Sequence, residues 1–173
     1  MEFRPTTELL RECRHEAFHL EVRDSYGVPS EDEPLQRFLN NEPFDLRAWF
    51  QDWYDFVQEL TTRGVSVSRV RVVTVPHTDY QRWLLALTAL NTEAGEDIRY
   101  LPRHLAGEVP PDDWWLIDNK TVVFNLSDKD GRAVGGSAVT ADPKIVSYCR
   151  GVRDRLWSLA TPYPEYTRVM SHQ

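Results

Sequence analysis

Glycine-rich phosphate loops, paired cysteines, long apolar runs and clustered basic residues are all missing from these 173 residues. Each absence removes a class of function. No HExxH, CxxC, P-loop or GxGxxG occurs, so zinc, ATP and dinucleotide chemistry have no sequence support, and neither a metal nor a cofactor is expected. The two cysteines, Cys13 and Cys149, are too few and too far apart for a metal site. Each falls in a helical pattern and reads as a buried, reduced thiol. No stretch reaches the ~20 apolar residues of a membrane span, and the opening MEFRPTTELLREC lacks a signal peptide's apolar core. The expectation is a cytoplasmic protein with no membrane partner. A net charge of −7 argues against nucleic acid as a direct partner, because phosphate contacts need grouped Lys and Arg.

What is present is an ordinary globular composition with six tryptophans. The length suits a single domain over 1–173, able to bury a core without staples. The chain is organised around Arg69 to Arg103. Val65 to Val75 is rich in β-branched residues, with Val70 and Val72 alternating against Arg69, Arg71 and Val73, which predicts a strand ended by Pro76. Thr78 is placed to cap a helix, with Gln81 completing a capping box and Asp79 in the first turn. Tyr80, Trp83, Leu84, Leu87 and Leu90 recur at helical spacing as its buried face, and Gly95 is its C-cap. Asp97 to Leu101 returns as a strand closed by Pro102. Together these make a right-handed parallel βαβ unit.

Around this unit, residues 6 to 15 read as a helix capped by Thr6 or Thr7, with Leu9, Leu10 and Cys13 inward. Ala17 to Val22 alternates Phe18, Leu20 and Val22 against His19 and Glu21, the pattern of a half-buried strand. Asp24 to Pro43 is loop-like with at most a helical turn near Leu35, Phe38 and Leu39. Its acidic run Glu31-Asp32-Glu33 reads as solvated surface. Residues 1–44 thus form an N-terminal helix, strand and loop. Asp45 opens a long helix to about Thr62, broadly apolar, with Gly64 at its end. Trp114 to Ile117 and Thr121 to Leu126 read as strands joined by a tight turn at Asp118-Asn119-Lys120. A turn at Asp128 to Gly131 leads into a strand from Arg132 to Thr140. Asp142-Pro143 starts a final helix to about Ala160, and 162–173 reads as an irregular tail. The fold class is α/β: a mixed-sheet sandwich with a central βαβ unit, then an antiparallel meander and a helix.

The strings RVRVVTVPHTDYQRW…NTEAGEDIRYLPR, DDWWLIDNKTVVFN and WSLATPYPEY resemble an actinobacterial family, domain of unknown function 6879, over nearly the whole chain. The resemblance implies a domain found near helix-turn-helix regulators and no established activity. More distantly, the element order and the late hairpin resemble half of a phospholipase D-like domain. Such enzymes need a histidine and a lysine two apart, and none of His15, His19, His77, His104 or His172 has that lysine. That resemblance therefore implies binding in place of hydrolysis.

Candidate site residues gather in and beside the βαβ unit. Arg99 reads as an anion clamp for a small anionic ligand, oriented by Glu96 and Asp97, with Arg69 and Arg71 joining if they share its face; the alternative is an Asp97–Arg99 surface pair. Arg82 and Asn91 on the intervening helix could line the same pocket. Tyr80 could stack a ligand, although its spacing favours the core. Adjacent Trp114 and Trp115 must point to opposite faces, so one is exposed, in a second core layer or on a binding surface. His77 is a lone loop histidine without a nucleophile beside it, and Asp112, Asp113 and Asp118 could bind a cation or simply face water. Two functions follow: a regulatory or ligand-binding domain working with a helix-turn-helix protein, or a small enzyme acting through Glu96, Asp97 and Arg99. A third is a degenerate phosphodiester-binding domain.

Overall fold

Buried valines on both faces, Val67 on one and Val70 and Val72 on the other, put the strand Ser66–Val73 at the heart of one eight-stranded sheet. The structure is a computed structural model; it describes residues 1–171, and of residues 133–135 only the backbone. The strands are β1 (Glu2–Arg4), β2 (Glu16–Glu21), β3 (Ser66–Val73), β4 (Asp97–Pro102), β5 (Trp114–Ile117), β6 (Thr121–Ser127), β7 (Ala133–Thr140) and β8 (Thr161–Pro162). The helices are α1 (Thr6–Glu12), α2 (Asp32–Leu39), α3 (Leu46–Thr62), α4 (Asp79–Ala94), α5 (Pro143–Leu159) and α6 (Tyr163–Met170). Strand order is β1-β7-β6-β5-β2-β3-β4-β8. β2, β3 and β4 run parallel, and every other neighbouring pair is antiparallel. This is the mixed-sheet α/β sandwich that the sequence predicts, with β3-α4-β4 as its parallel βαβ unit.

Helices cover both faces. On one, α5 presses Val146, Cys149, Val152 and Leu156 onto Phe18, Leu20, Val70, Val72, Trp114 and Leu116; each aliphatic side chain so buried is worth about 1.5–3 kcal/mol. On the other, α1 and α3 bury Leu10, Phe56 and Leu60 against Ala17, Val67, Trp115 and Val123. Trp114 and Trp115 are therefore both buried, in two different core layers. Ala17 to Val22 is likewise covered on both sides, unlike the half-buried strand its alternation suggests.

Local chemistry fixes most helix ends. The Asp45 carboxylate accepts from Ala48 N–H at 3.0 Å, Thr78 Oγ1 from Gln81 N–H at 3.2 Å and Asp142 from Lys144 N–H at 2.8 Å, each satisfying an otherwise free donor. Gln81 does not complete the box; its amide donates to the Arg23 carbonyl at 3.0 Å. Gly95 ends α4 at φ +115°, where an added Cβ would lie 2.8 Å from Thr61, so the position needs glycine. Asp118 and Asn119 have φ of +51° and +55°, the left-handed pair of a primed turn, which matches strand twist in a tight hairpin. The Asp118 carboxylate accepts backbone N–H groups from Arg14, His15 and Glu16. It anchors the approach to β2 and is not offered to a cation.

Further expectations need correction. Pro5, not Thr6 or Thr7, is the N-cap of α1, because β1 pairs with β7 and draws the Thr6 hydroxyl to Ser137 at 2.7 Å. The 24–43 segment holds α2, a full helix over Asp32–Leu39. The tail from 162 holds β8 and α6, whose Tyr166 stacks on Tyr100 at 4.7 Å. β1 itself is too short to show a strand pattern.

Candidate functional site

The register of the sheet assembles the site. Val139, Val123, Trp115, His19, Arg69 and Ile98 are paired across β7, β6, β5, β2, β3 and β4 to form one row. Two residues on, towards the carboxyl ends of β2 and β3, Glu21 is paired with Arg71 and Arg71 with Tyr100. Side chains two apart share a face, so His19, Glu21, Arg69 and Arg71 all point towards α3 and α4. Ligands of open α/β sheets bind outside the carboxyl ends of parallel strands, and this polar group lies there.

All four are buried. Arg69 donates to Glu21, and its Nε donates to Glu96 at 3.2 Å. Arg71 donates to Thr88 and to the Tyr100 hydroxyl, the latter at 2.9 Å, with its Nε 3.5 Å from Glu21. Glu96 is 2% exposed and also receives Trp53 Nε1–H at 2.9 Å and Asn91 Nδ2–H at 3.2 Å. Burial alone would raise the Glu21 carboxyl, but Arg69 and Arg71 hold it down at about 2. Burial, with Arg69 beside it, pulls His19 down to about 3. The ring is then neutral, and its stacking on Trp115 at 4.2 Å is a contact between uncharged planes.

Above this floor is a cavity of about 650 Å³, the size of a small-molecule site. Its walls are largely apolar and include Tyr26, Trp49, Phe50, Trp53, Tyr80 and Trp115. Tyr26 and Tyr80 lie 5.9 Å apart between ring centres. Tyr80 donates to Glu31 at 2.9 Å, and the Tyr26 hydroxyl lies beside Asp113. Burial pushes the Glu31 carboxyl up to about 7. Burial, reinforced by the negative charge of Glu21, pushes Asp113 up to about 6. His19, Arg71 and Asn91 line this cavity. His19 Nδ1 and Arg71 Nε each lie 3.5 Å from the Glu21 carboxylate, whereas the buried Asn91 Oδ1 accepts no hydrogen bond among the described residues. Buried polar atoms are normally satisfied, so the Asn91 carbonyl is an acceptor open to a donor in the cavity.

Residues 5–168 match the family model described as Domain of unknown function (DUF6879). The chain belongs to this family. No curated protein matches it. Among the described residues, no helix is long and apolar enough to cross a membrane.

In this family member the cavity gathers Arg69, Arg71, Tyr80, Asn91 and Trp115 from among the sequence candidates, with Glu96 bracing Arg69 from behind. The others lie elsewhere. Arg99 is paired with Val70, which puts it on the α5 face; its guanidinium sits 3.9 Å from the Trp157 ring centre and donates to the Trp157 carbonyl. Asp97 is exposed. Arg82 is exposed and paired with Asp79 one turn back. Trp114 belongs to the α5 core. His77 contacts the Tyr166 hydroxyl. Asp113 is no surface acid: it accepts from Val22 N–H at 2.8 Å and faces the cavity, while Asp112 is exposed. Glu31 is half-buried and stands in the cavity wall.

The residues that sequence reasoning passes over are His19, Glu21, Tyr26, Glu31, Trp49 and Trp53. One signal for Glu21 is present: two strands with polar residues at the same two-residue spacing and opposite charge, Glu21 on one and Arg69 and Arg71 on the other.

Proposed function

We propose that this chain is a non-catalytic ligand-binding domain that senses a small molecule in the cavity above β2 and β3. The observation that carries this reading is a cavity of about 650 Å³, walled in part by six aromatic side chains and bordered by the buried Asn91, whose Oδ1 has no hydrogen-bond partner among the described residues. A buried acceptor left bare costs stability that a bound donor would restore. The family resemblance supplies a helix-turn-helix regulator as the protein partner to which occupancy would be reported. Two buried free cysteines fit a reducing, cytoplasmic setting.

The test is a thermal-shift screen of the purified chain against amines, amino acids, nucleotides and sugar phosphates. A ligand at 100 times its Kd adds about 2.7 kcal/mol, or roughly 5–10 °C for a domain of this size. The shift should vanish in Asn91→Leu and Trp115→Ala and persist in Arg99→Ala. A screen in which no compound acts, or in which Arg99→Ala abolishes the effect, defeats the proposal.

One observation favours a small enzyme as the second reading. Asp97 and Arg99 lie outside the cavity, but Glu31, bonded to Tyr80 and raised to about 7, has the protonation behaviour of a general acid or base. On that reading Glu31→Gln binds the ligand and no longer converts it. A phosphodiester-binding role finds less support, since the two arginines in the cavity are already engaged by Glu21 and Glu96.

A further inference from the structure

Resting on the reading of this cavity as a ligand site, we infer that its ligand is an organic cation, an amine whose ammonium sits between Glu31 and Asp113 against the tyrosine pair Tyr26 and Tyr80. The charge of the lining is the first argument. Among the described residues, Glu21, Glu31, Asp52 and Asp113 face the cavity against only Arg69 and Arg71. Both guanidiniums are already committed, Arg69 to Glu21 and Glu96 and Arg71 to Glu21, Thr88 and Tyr100. An anion entering here would meet no free cation and several carboxylates. Glu31 and Asp113, by contrast, have no basic side chain bonded to them among the described residues. Glu31 accepts from Tyr80 and Asp113 from the Val22 amide. Burial has raised both carboxyls, and an ammonium is the group that would restore their charge.

The walls give the second argument. Tyr26 and Tyr80, inclined at 53° with ring centres 5.9 Å apart, reach the two carboxylates through their hydroxyls, Tyr80 to Glu31 and Tyr26 to Asp113, and bring two aromatic rings to the same place. Aromatic faces attract a desolvated ammonium through the ring quadrupole. At the α4 wall, Asn91 is 2% exposed and its Oδ1 accepts nothing. It is a built acceptor independent of the acidic pair, suited to a second N–H or O–H of the ligand. Among the described residues no group of three His, Cys, Asp or Glu side chains converges as a metal site, and the aromatic lining suits carbon better than a hydrated metal ion. Acceptors, π-faces and a volume of about 650 Å³ together describe an arylalkylamine or a short polyamine.

The experiment is a matched panel followed by thermal shift and calorimetry on the full chain. Phenethylamine, tyramine, tryptamine and spermidine are each set against a neutral analogue lacking the nitrogen and a carboxylate of the same length, with calcium chloride alone as a further arm. The amines should raise Tm above their neutral and anionic counterparts. Glu31→Gln should weaken the best amine by about tenfold or more while leaving its neutral analogue within about twofold, which a merely structural role for Glu31 would not do. Carboxylates acting more strongly than amines, equal action of all three forms, or a response to calcium alone overturns the cation inference while the cavity remains a ligand site. If no member of any series acts and Trp115→Ala is as indifferent as wild type, the cation inference and the ligand-site reading both fail.

Discussion

The two faces of one strand pair differ more than any two regions of this molecule. On β2 and β3, Leu20, Val70 and Val72 are directed at α5, aliphatic and at most 1% exposed. Their immediate neighbours, directed at α3 and α4, are His19, Glu21, Arg69 and Arg71, almost as deeply buried. The α5 face is what a sheet needs in order to fold. The opposite face carries a cost, because removing an ion pair from water costs several kcal/mol per charge and is offset only by good geometry. The network offsets much of it, with Glu21 between two guanidiniums and Glu96 behind Arg69, yet hydrophobic side chains would do as well for stability. This face is polar where hydrophobic side chains would serve for stability, and it adjoins the cavity.

The sharpest way to break this comparison is to remove one member of the network. Arg69→Leu leaves Glu96 and much of Glu21 uncompensated and should cost about 3–5 kcal/mol, a fall in Tm on the order of 10 °C at this chain length, read by thermal unfolding. Replacing the set together (Glu21→Leu, Arg69→Met, Arg71→Met, Glu96→Leu) should recover most of the loss, because no buried charge of the network is then left unpaired. If the fourfold variant is as unstable as the single one, the network is structural after all. Leu156→Ala on the α5 face is the control: it should cost about 2–5 kcal/mol through cavity formation and leave the ligand-induced rise in Tm unchanged.

That one face is legible in the sequence and the other only half so has a physical reason. Period-2 patterning shows which residues share a side, so the sequence alone places Arg69 and Arg71 together. It does not show whether a side is wet. His19 and Glu21, alternating with Phe18, Leu20 and Val22, look like the solvent face of a half-buried strand; they are buried because α3 and α4 cover that face of the sheet and Arg71, about 50 residues later, stands opposite Glu21. Caps and glycine stops are readable at Asp45, Thr78, Gly95 and Asp142 because each acts within one turn. Arg99 is decided by register, which sequence does not print: pairing it with Val70 in place of Arg69 or Arg71 sends it to the other face. Glu31 is hidden because a short acidic run near a proline looks solvated, and only Tyr80, 49 residues on, turns it inward.

The pH dependence of the unliganded protein sharpens the contrast further. Glu31 and Asp113 have folded-state values of about 7 and about 6, above the ordinary values of 4.5 and 3.8. The folded state therefore holds their protons more tightly than the unfolded chain. Their contribution is complete below the ordinary values and is lost as pH rises through about 6 to 7. His19 works the other way: lowered to about 3 from 6.5, it makes stability rise with pH up to about 6.5 and then adds nothing. His77, also lowered by burial, acts in the same sense. Above about pH 6.5 only the acids remain, so Tm should decline between about pH 6.5 and 8. Glu31→Gln should flatten that decline. An unchanged slope would mean that Glu31 is not the group titrating.

Arg99→Ala should have the smallest effect, and it separates the two faces most cleanly. Its guanidinium lies over Trp157, 3.9 Å from the ring centre, with one N–H to the Trp157 carbonyl at 3.1 Å. Losing a partly shielded cation–π contact costs about 1 kcal/mol, a few degrees at most for a chain of this length. Because β4 presents Arg99 to α5 and Tyr100 to the network, the substitution should leave the affinity of any cavity ligand within about twofold of wild type, a change below roughly 0.5 kcal/mol. Measured beside Arg69→Leu, it contrasts two arginines on neighbouring strands, one holding a charged floor together and the other resting on an aromatic side chain. Loss of ligand binding in Arg99→Ala would mean that the two faces communicate through β4, and that the site is larger than the cavity.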